Sequence, residues 1–342
     1  MKRICIFTLY GDKGASSQFR TYIFREALEK DFSIKFFYFW NNEYVTKYMV
    51  NKKKYALRIL LQYIVACLKR IFQLLIIAPK YDVVYIQKAC FPKSKLLLLK
   101  HLKGKTKIVF DIDDAVYLSK GDNSDRIATI ADAVICGNEN LKKHYSTKND
   151  YCTVIPTIEN THKYTRYWGD TYEDKIIGWI GSKATLDNLD LIVNPVNAFI
   201  STHPEVKFHI ISNDAGNYAK LIKNAIFIPW SKEKYIEEIG KFTIGIMPLK
   251  DTQYNRGKCG FKLIQYLNMK KPVIGSPVGI NSDIILGNGI SADNEVQWEK
   301  AFEQLLYDRS IYNKCVEHIE HCFFKQYHFD SAYQKMKGVL EN

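Results

Sequence analysis

Between Gly245 and Gly279 the sequence reads GIMPLKDTQYNRGKCGFKLIQYLNMKKPVIGSPVG, and four cations, Lys250, Arg256, Lys258 and Lys262, crowd one loop behind an apolar strand. Gly257 and Gly260 give the loop backbone room to approach a ligand, and the helix that follows offers unpaired amides at its start. Such a loop suits phosphate, because arginine grips it with two parallel hydrogen bonds and lysine adds a mobile point charge. Lys262 opens the helix, where the macrodipole disfavours positive charge, so an anionic partner is expected beside it.

A second group is Asp111-Ile112-Asp113-Asp114, at the end of the apolar run Ile108-Val109-Phe110. Carboxylates at the carboxyl end of a strand can take a hydroxyl proton or stabilise a developing cation, which makes Asp113 and Asp114 the catalytic candidates. The same D-x-D spacing can hold a metal, and one aspartate could instead cap the next helix. Gly11 to Gly14, followed by Ser16, Ser17 and Arg20, forms a glycine and hydroxyl loop entering a helix. It lacks G-x-G-x-x-G, so no dinucleotide cofactor is expected. Cys315, His318, His321 and Cys322 have metal-ligand chemistry, but helical spacing spreads them around an axis and no zinc site is expected.

Apolar runs alternate with helix-period segments along the whole chain, the pattern of doubly wound parallel α/β folding. Strands are predicted at 3–9, 33–40, 83–87, 107–111, 133–136 and 152–155, then at 176–180, 207–212, 226–228, 243–247 and 272–275. The repetition implies two similar domains, with the boundary in the polar, aromatic stretch 159–173. Helices are predicted at 296–307, 310–325 and 329–341.

The 342 residues, 47% apolar, suffice for two cores. Eight scattered cysteines without a C-x-x-C pair read as reduced thiols in a cytoplasmic protein. The opening Met1-Lys2-Arg3 and its short apolar run read as a first strand, not a signal segment. Net charge is +13, and it is localised: residues 1–150 hold 27 Lys and Arg against 14 Asp and Glu, and residues 47–107 hold 15 against the single acid Asp82. Within that region Lys52 to Ala78 joins a polybasic start to a long apolar surface interrupted by Arg58, Lys69 and Arg70. It is expected to lie along an anionic membrane surface, with part of its apolar face serving the domain core. The basic segment 93–107, with Leu96 to Leu99, extends the patch.

Taken in order, Gly14-Ala15-Ser16-Ser17, Ile108 to Asp114, Val134 to Glu139, Thr153 to Thr157, Lys175 to Ser182 and Gly245 to Gly279 resemble the nucleotide-sugar glycosyltransferases of the GT-B fold, family 4. The resemblance spans nearly the whole chain. It implies an α/β architecture of two Rossmann-like doubly wound domains facing a central cleft: an acceptor- and membrane-facing domain over 1–165, a donor domain over 166–325, and a helix over 326–342 crossing back to the first.

It also implies a retaining, metal-independent transferase of the hexosyltransferase class with no cofactor. The donor is a nucleotide sugar and the acceptor a lipid-linked or surface glycan, at the cytoplasmic face of the membrane. Donor contacts carried over or read from the loops are Gly181, Ser182, Lys183, Trp230, Arg256, Lys258, Gly260, Phe261, Lys262 and Gln265. Acceptor contacts are Ser16, Ser17, Arg20 and Glu139, although Glu139 serves equally as a helix cap. The sequence departs from the family twice: Gln265 and Gly257 stand where the E-x7-E glutamates belong, and Trp179 replaces an arginine. The rival readings are a sugar-nucleotide epimerase on the same fold and a basic nucleic-acid-binding protein. The second is disfavoured because the aromatics follow core patterns, and no nucleic-acid partner is expected.

Overall fold

The computed structural model describes residues 1–49 and 51–342. Its chain divides into two compact units, residues 1–157 with 332–342, and residues 158–331. The division falls ahead of the predicted 165/166 boundary, because Ile158, Glu159, Thr161 and Tyr164 are buried in the second unit. At the other end, only 332–342 return to the first unit, where Tyr333 donates to Ala27 O and Asp31 Oδ2 (2.8 and 2.5 Å) and Lys337 pairs with Asp31 (3.0 Å).

In the first unit six parallel strands run in the order β2-β1-β3-β4-β5-β6: β1 Arg3–Tyr10, β2 Ser33–Trp40, β3 Val83–Gln87, β4 Lys107–Ile112, β5 Ala133–Cys136 and β6 Cys152–Val154. The second unit repeats the design as β12-β11-β10-β7-β8-β9: β7 Ile176–Ile180, β8 Lys207–Ser212, β9 Ala225–Pro229, β10 Ile244–Met247, β11 Val273–Gly275 and β12 Gly289–Ser291. Central strands are buried on both faces and so read as unbroken apolar runs, which is why the sequence locates them. The short edge strand β12 escapes that reading: its three residues carry no period, and Gly289 lies so close to β11 that a Cβ would sit 1.9 Å from Val273 O.

Strand order reverses between β1 and β3 in the first unit and between β7 and β10 in the second. At such points neighbouring loops diverge and leave a crevice outside the carboxyl ends of the strands. The helix Ala56–Phe72, extended by turns through Lys80, covers part of the first sheet. Its run of 25 residues is long and apolar enough, by length and composition, to cross a membrane. Two features tie one face to the domain: Leu74 and Ala78 are fully buried, and Arg70 enters the core to donate to Phe37 O (3.1 Å) with its charge 4.7 Å from the Phe7 ring. The opposite face is apolar and bare, with Leu57 69% and Leu68 63% exposed and Leu60, Leu61, Ile64 and Phe72 exposed with them at helical spacing. No disulfide joins any of the eight cysteines.

Candidate functional site

In the second unit β7 and β10 flank the crevice, and the helix Phe261–Asn268 starts beside it. Tyr266 fixes that start: it accepts from Ile180 N–H (2.9 Å) and donates to Ile246 O (3.1 Å), bridging the two strands. Gly245 permits the contact, because a Cβ there would lie 2.1 Å from the Tyr266 ring. Gly260 enters the helix at φ 65°, a left-handed turn suited to glycine, and a Cβ would strike Ile284 at 2.5 Å. Packing and turn geometry therefore account for this glycine, rather than the backbone approach expected of it. The first helical hydrogen bond is Ile264 N–H to Gly260 O (3.3 Å), which leaves the amides of Lys262 and Leu263 directed out of the N-terminus. Phe261 is half-buried at the first helical position.

The four loop cations do not behave alike. Lys250 is partly exposed and paired with Asp190 and Asp187 (3.1 and 3.4 Å). Arg256 is 65% exposed and forks onto Asp251 with bonds of 2.6 and 2.7 Å, an arrangement that holds its own loop. Lys258 is half-buried, 5.7 Å from the Tyr254 ring. Lys262 differs from all three. Its ammonium lies 5.7 Å from the Trp179 ring, its stem fills the space that Gly181 leaves open, and no carboxylate pairs with it among the described residues. Burial first, and Lys258 next, pull its pKa down to about 8. The anionic partner expected from the sequence is thus absent among the described residues, and a half-buried cation stands in a first helical turn whose Lys262 and Leu263 amides have no backbone acceptor among them.

Around this centre, Ser182 and Lys183 are exposed, and Lys183 is spent on Asp214 (2.6 Å). Trp230 follows β9, is 42% exposed and stacks 5.9 Å from Tyr235, so it is not core packing. Gln265 is buried and donates from Nε2 to Glu159 Oε1 (2.9 Å). Glu159 is 2% exposed, and burial outweighs its hydrogen bonds to raise it to about 7. Sequence reading left Glu159 in a linker, since a lone glutamate among polar residues carries no pattern.

In the first unit the β1/β3 crevice is held by an internal ionic network. Arg20, 1% exposed, forks onto Asp111 (Nε and Nη2, 2.9 and 2.6 Å) and donates to Ile155 O (2.5 Å). Ser17, also buried, donates to Gln87 Oε1 (2.8 Å) and accepts from Tyr10 N–H (3.0 Å). Both were expected to meet an acceptor; both are instead committed to ordering the loop. Ser16 is half-buried and accepts from Gln87 Nε2 (3.1 Å). Asn138 caps the helix Glu139–Tyr145 by accepting from Leu141 N–H (2.9 Å), which leaves Glu139 exposed and relieved of the capping role.

Neither Asp113 nor Asp114 caps a helix. Both face Lys88, at 3.2 and 2.5 Å. Lys88 follows β3 at φ 64°, a left-handed conformation rare for lysine, and its N–H bonds Asp111 O (2.9 Å). Burial alone would lower Lys88, but Asp113 and Asp114 outweigh it and hold the ammonium above its usual value. Asp113 is raised to about 6, chiefly by burial, with Lys88 opposing and Asp114 adding. Gly137 makes the approach possible, since its Cβ would lie 2.8 Å from Asp113 Cα. The sequence signal for Lys88 was a lone lysine ending an otherwise apolar strand next to the aspartate strand. His318, one of the four Cys and His candidates, bonds Asn288 (2.9 Å), while Cys315 is buried and Cys322 exposed.

Two parallel doubly wound units, one presenting a bare cation at a helix start beside its switch point, have the architecture of the GT-B fold. Residues 174–308 match the family model described as glycosyl transferases group 1, which places that family's domain in the second unit. No curated protein sequence matches the chain. Among solved structures it is similar to an alpha-glucosyltransferase in complex with UDP and a 13-mer DNA (13% identity, TM-score 0.67, all of both chains). It is also similar to HepE of Anabaena with UDP and glucose (11%, 0.68, all of both chains). TarM of S. aureus is a third (16%, 0.58), covering 76% of this chain; this chain spans 55% of TarM.

Proposed function

We propose that the protein transfers a sugar from a nucleoside diphosphate sugar to a lipid-linked or surface glycan, with retention and without a catalytic metal, at the inner face of a membrane. The observation that carries the donor half is Lys262: a half-buried ammonium without a carboxylate partner among the described residues, beside free helix amides, at the switch point of the second sheet. A departing diphosphate develops charge there, and fixed cations and amide dipoles stabilise it without reorganising. Lys258 and Phe261 N–H extend the same cradle, Ser182 lies at its edge, Gln265 accepts from the ribose and Trp230 covers the base. UDP bound in the alpha-glucosyltransferase and HepE structures supports this donor class.

Asp113 and Asp114, aimed by Lys88, serve the reacting centre as proton acceptor or cation stabiliser. Of the acceptor contacts, Ser16 and the exposed Glu139 are kept. The bare face of Ala56–Phe72 and the basic residues 52–54 support a membrane-bound acceptor, apolar side inserted and lysines on anionic headgroups. A second acceptor reading, DNA, is favoured by the basic first half and by the DNA-bound alpha-glucosyltransferase. The bare apolar face weighs against it.

Thermal shift with UDP-, GDP-, ADP- and dTDP-sugars, each with and without EDTA, tests the donor reading. Stabilisation by one nucleotide class, unchanged by EDTA, is expected; no stabilisation by any refutes it. Sedimentation with anionic vesicles against salt-sensitive binding to duplex DNA separates the two acceptors.

A further inference from the structure

Glu159 is a buried carboxylate that the transfer chemistry does not use. It lies ahead of the helix Thr161–Tyr164 and touches two other helices: Tyr235 Oη sits 3.2 Å from each of its oxygens, and Gln265 Nε2 donates to Oε1 at 2.9 Å. Tyr164, fully buried, is beside it as well. The titratable groups around the carboxylate are therefore Tyr164 and Tyr235, both held above the usual tyrosine range by burial and by Glu159 itself, and so neutral.

The consequence falls on Gln265. An ionised carboxylate can only accept, so the amide must turn its NH2 toward Glu159, and its carbonyl oxygen then points the other way. That oxygen has no donor among the described residues. We infer that Glu159 is a positioning residue: by fixing the Gln265 amide, it makes a neutral side chain present a hydroxyl acceptor to the ribose of the nucleotide, the task a carboxylate at position 265 would perform. The inference rests on the donor reading above. It adds a condition to it, because a protonated Glu159 could donate to Gln265 Oε1 and let the amide turn round, leaving NH2 outward and the ribose hydroxyl without its acceptor. Burial, which keeps Glu159 near 7, brings that turn into the working pH range.

The experiment compares the tightest-binding of UDP, GDP and ADP with its 2′,3′-dideoxy counterpart by titration calorimetry, for the wild type, E159Q and Q265A. The wild type is expected to prefer the ribonucleotide about tenfold, one hydrogen bond's worth. E159Q and Q265A should bind both forms equally, and the wild-type preference should shrink as pH falls below about 7. If the wild type discriminates and E159Q, folded by near-UV circular dichroism, still does, the positioning role is wrong while the donor reading stands. Binding without discrimination in the wild type overturns the inference too, and binding of no nucleotide removes both. Should E159Q fail to fold, a wild-type preference constant from pH 5.5 to 8.5 is the overturning result.

Discussion

The two switch points handle their charges in opposite ways. In the first unit the two cations that order the crevice are answered: Arg20 by Asp111, Lys88 by Asp113 and Asp114. At the second, Lys250 and Arg256 are answered by nearby aspartates, yet Lys262, enclosed by its neighbours, has no carboxylate partner among the described residues. A closed network spends its charge on geometry, holding two carboxylates in place; an open cation costs stability that only a ligand returns. The sign supports this. A lysine whose folded pKa is about 8, below its unfolded value, carries a penalty at pH below 8 that fades as pH rises through that value.

The largest effect that could break this contrast is at Asp113. D113N should lower kcat by about 10²–10⁴-fold with donor binding intact. In the wild type, kcat should fall as pH drops below about 6, where Asp113 takes a proton. A flat profile down to pH 5 would remove the carboxylate from the chemistry. K88M should follow at about 10–10²-fold, and the apparent pKa of the rate should move upward, because Lys88 is the chief group holding Asp113 down. An unchanged pKa would make Lys88 purely structural.

At the open site, K262M should raise the melting temperature while lowering kcat/KM by about 10²–10³-fold, the loss seen when one transition-state donor is removed. Loss of both stability and activity would place Lys262 with the closed network instead. The smallest effect belongs to Arg256: R256A should change stability by about 0–1 kcal/mol, as exposed ion pairs do, with kcat/KM altered less than about tenfold. Neutralising Lys52, Lys53 and Lys54 should leave all these constants unchanged and abolish sedimentation with anionic vesicles.

The same contrast explains what could be read from the sequence. Eleven of the twelve strands are legible as apolar runs, the central ones because a strand buried on both faces must be apolar throughout, and the cation-rich loop is visible as composition. Pairing is not. Whether Arg256 reaches Asp251 or a phosphate, and whether Arg20 meets a ligand or Asp111 some 91 positions away, depends on how strands are ordered in the sheet, which no local period encodes. Lys88 and Glu159 were missed for the same reason, each being one polar residue whose meaning lies in its distant neighbours.

The account turns on Lys262, and the affinity of a nucleoside diphosphate measured across pH 6.5–9.5 in EDTA tests it directly. Wild-type binding should weaken as pH rises through about 8, and K262M should bind at least tenfold more weakly with that pH step gone. Equal affinity in the two proteins, with the same pH dependence, would contradict it.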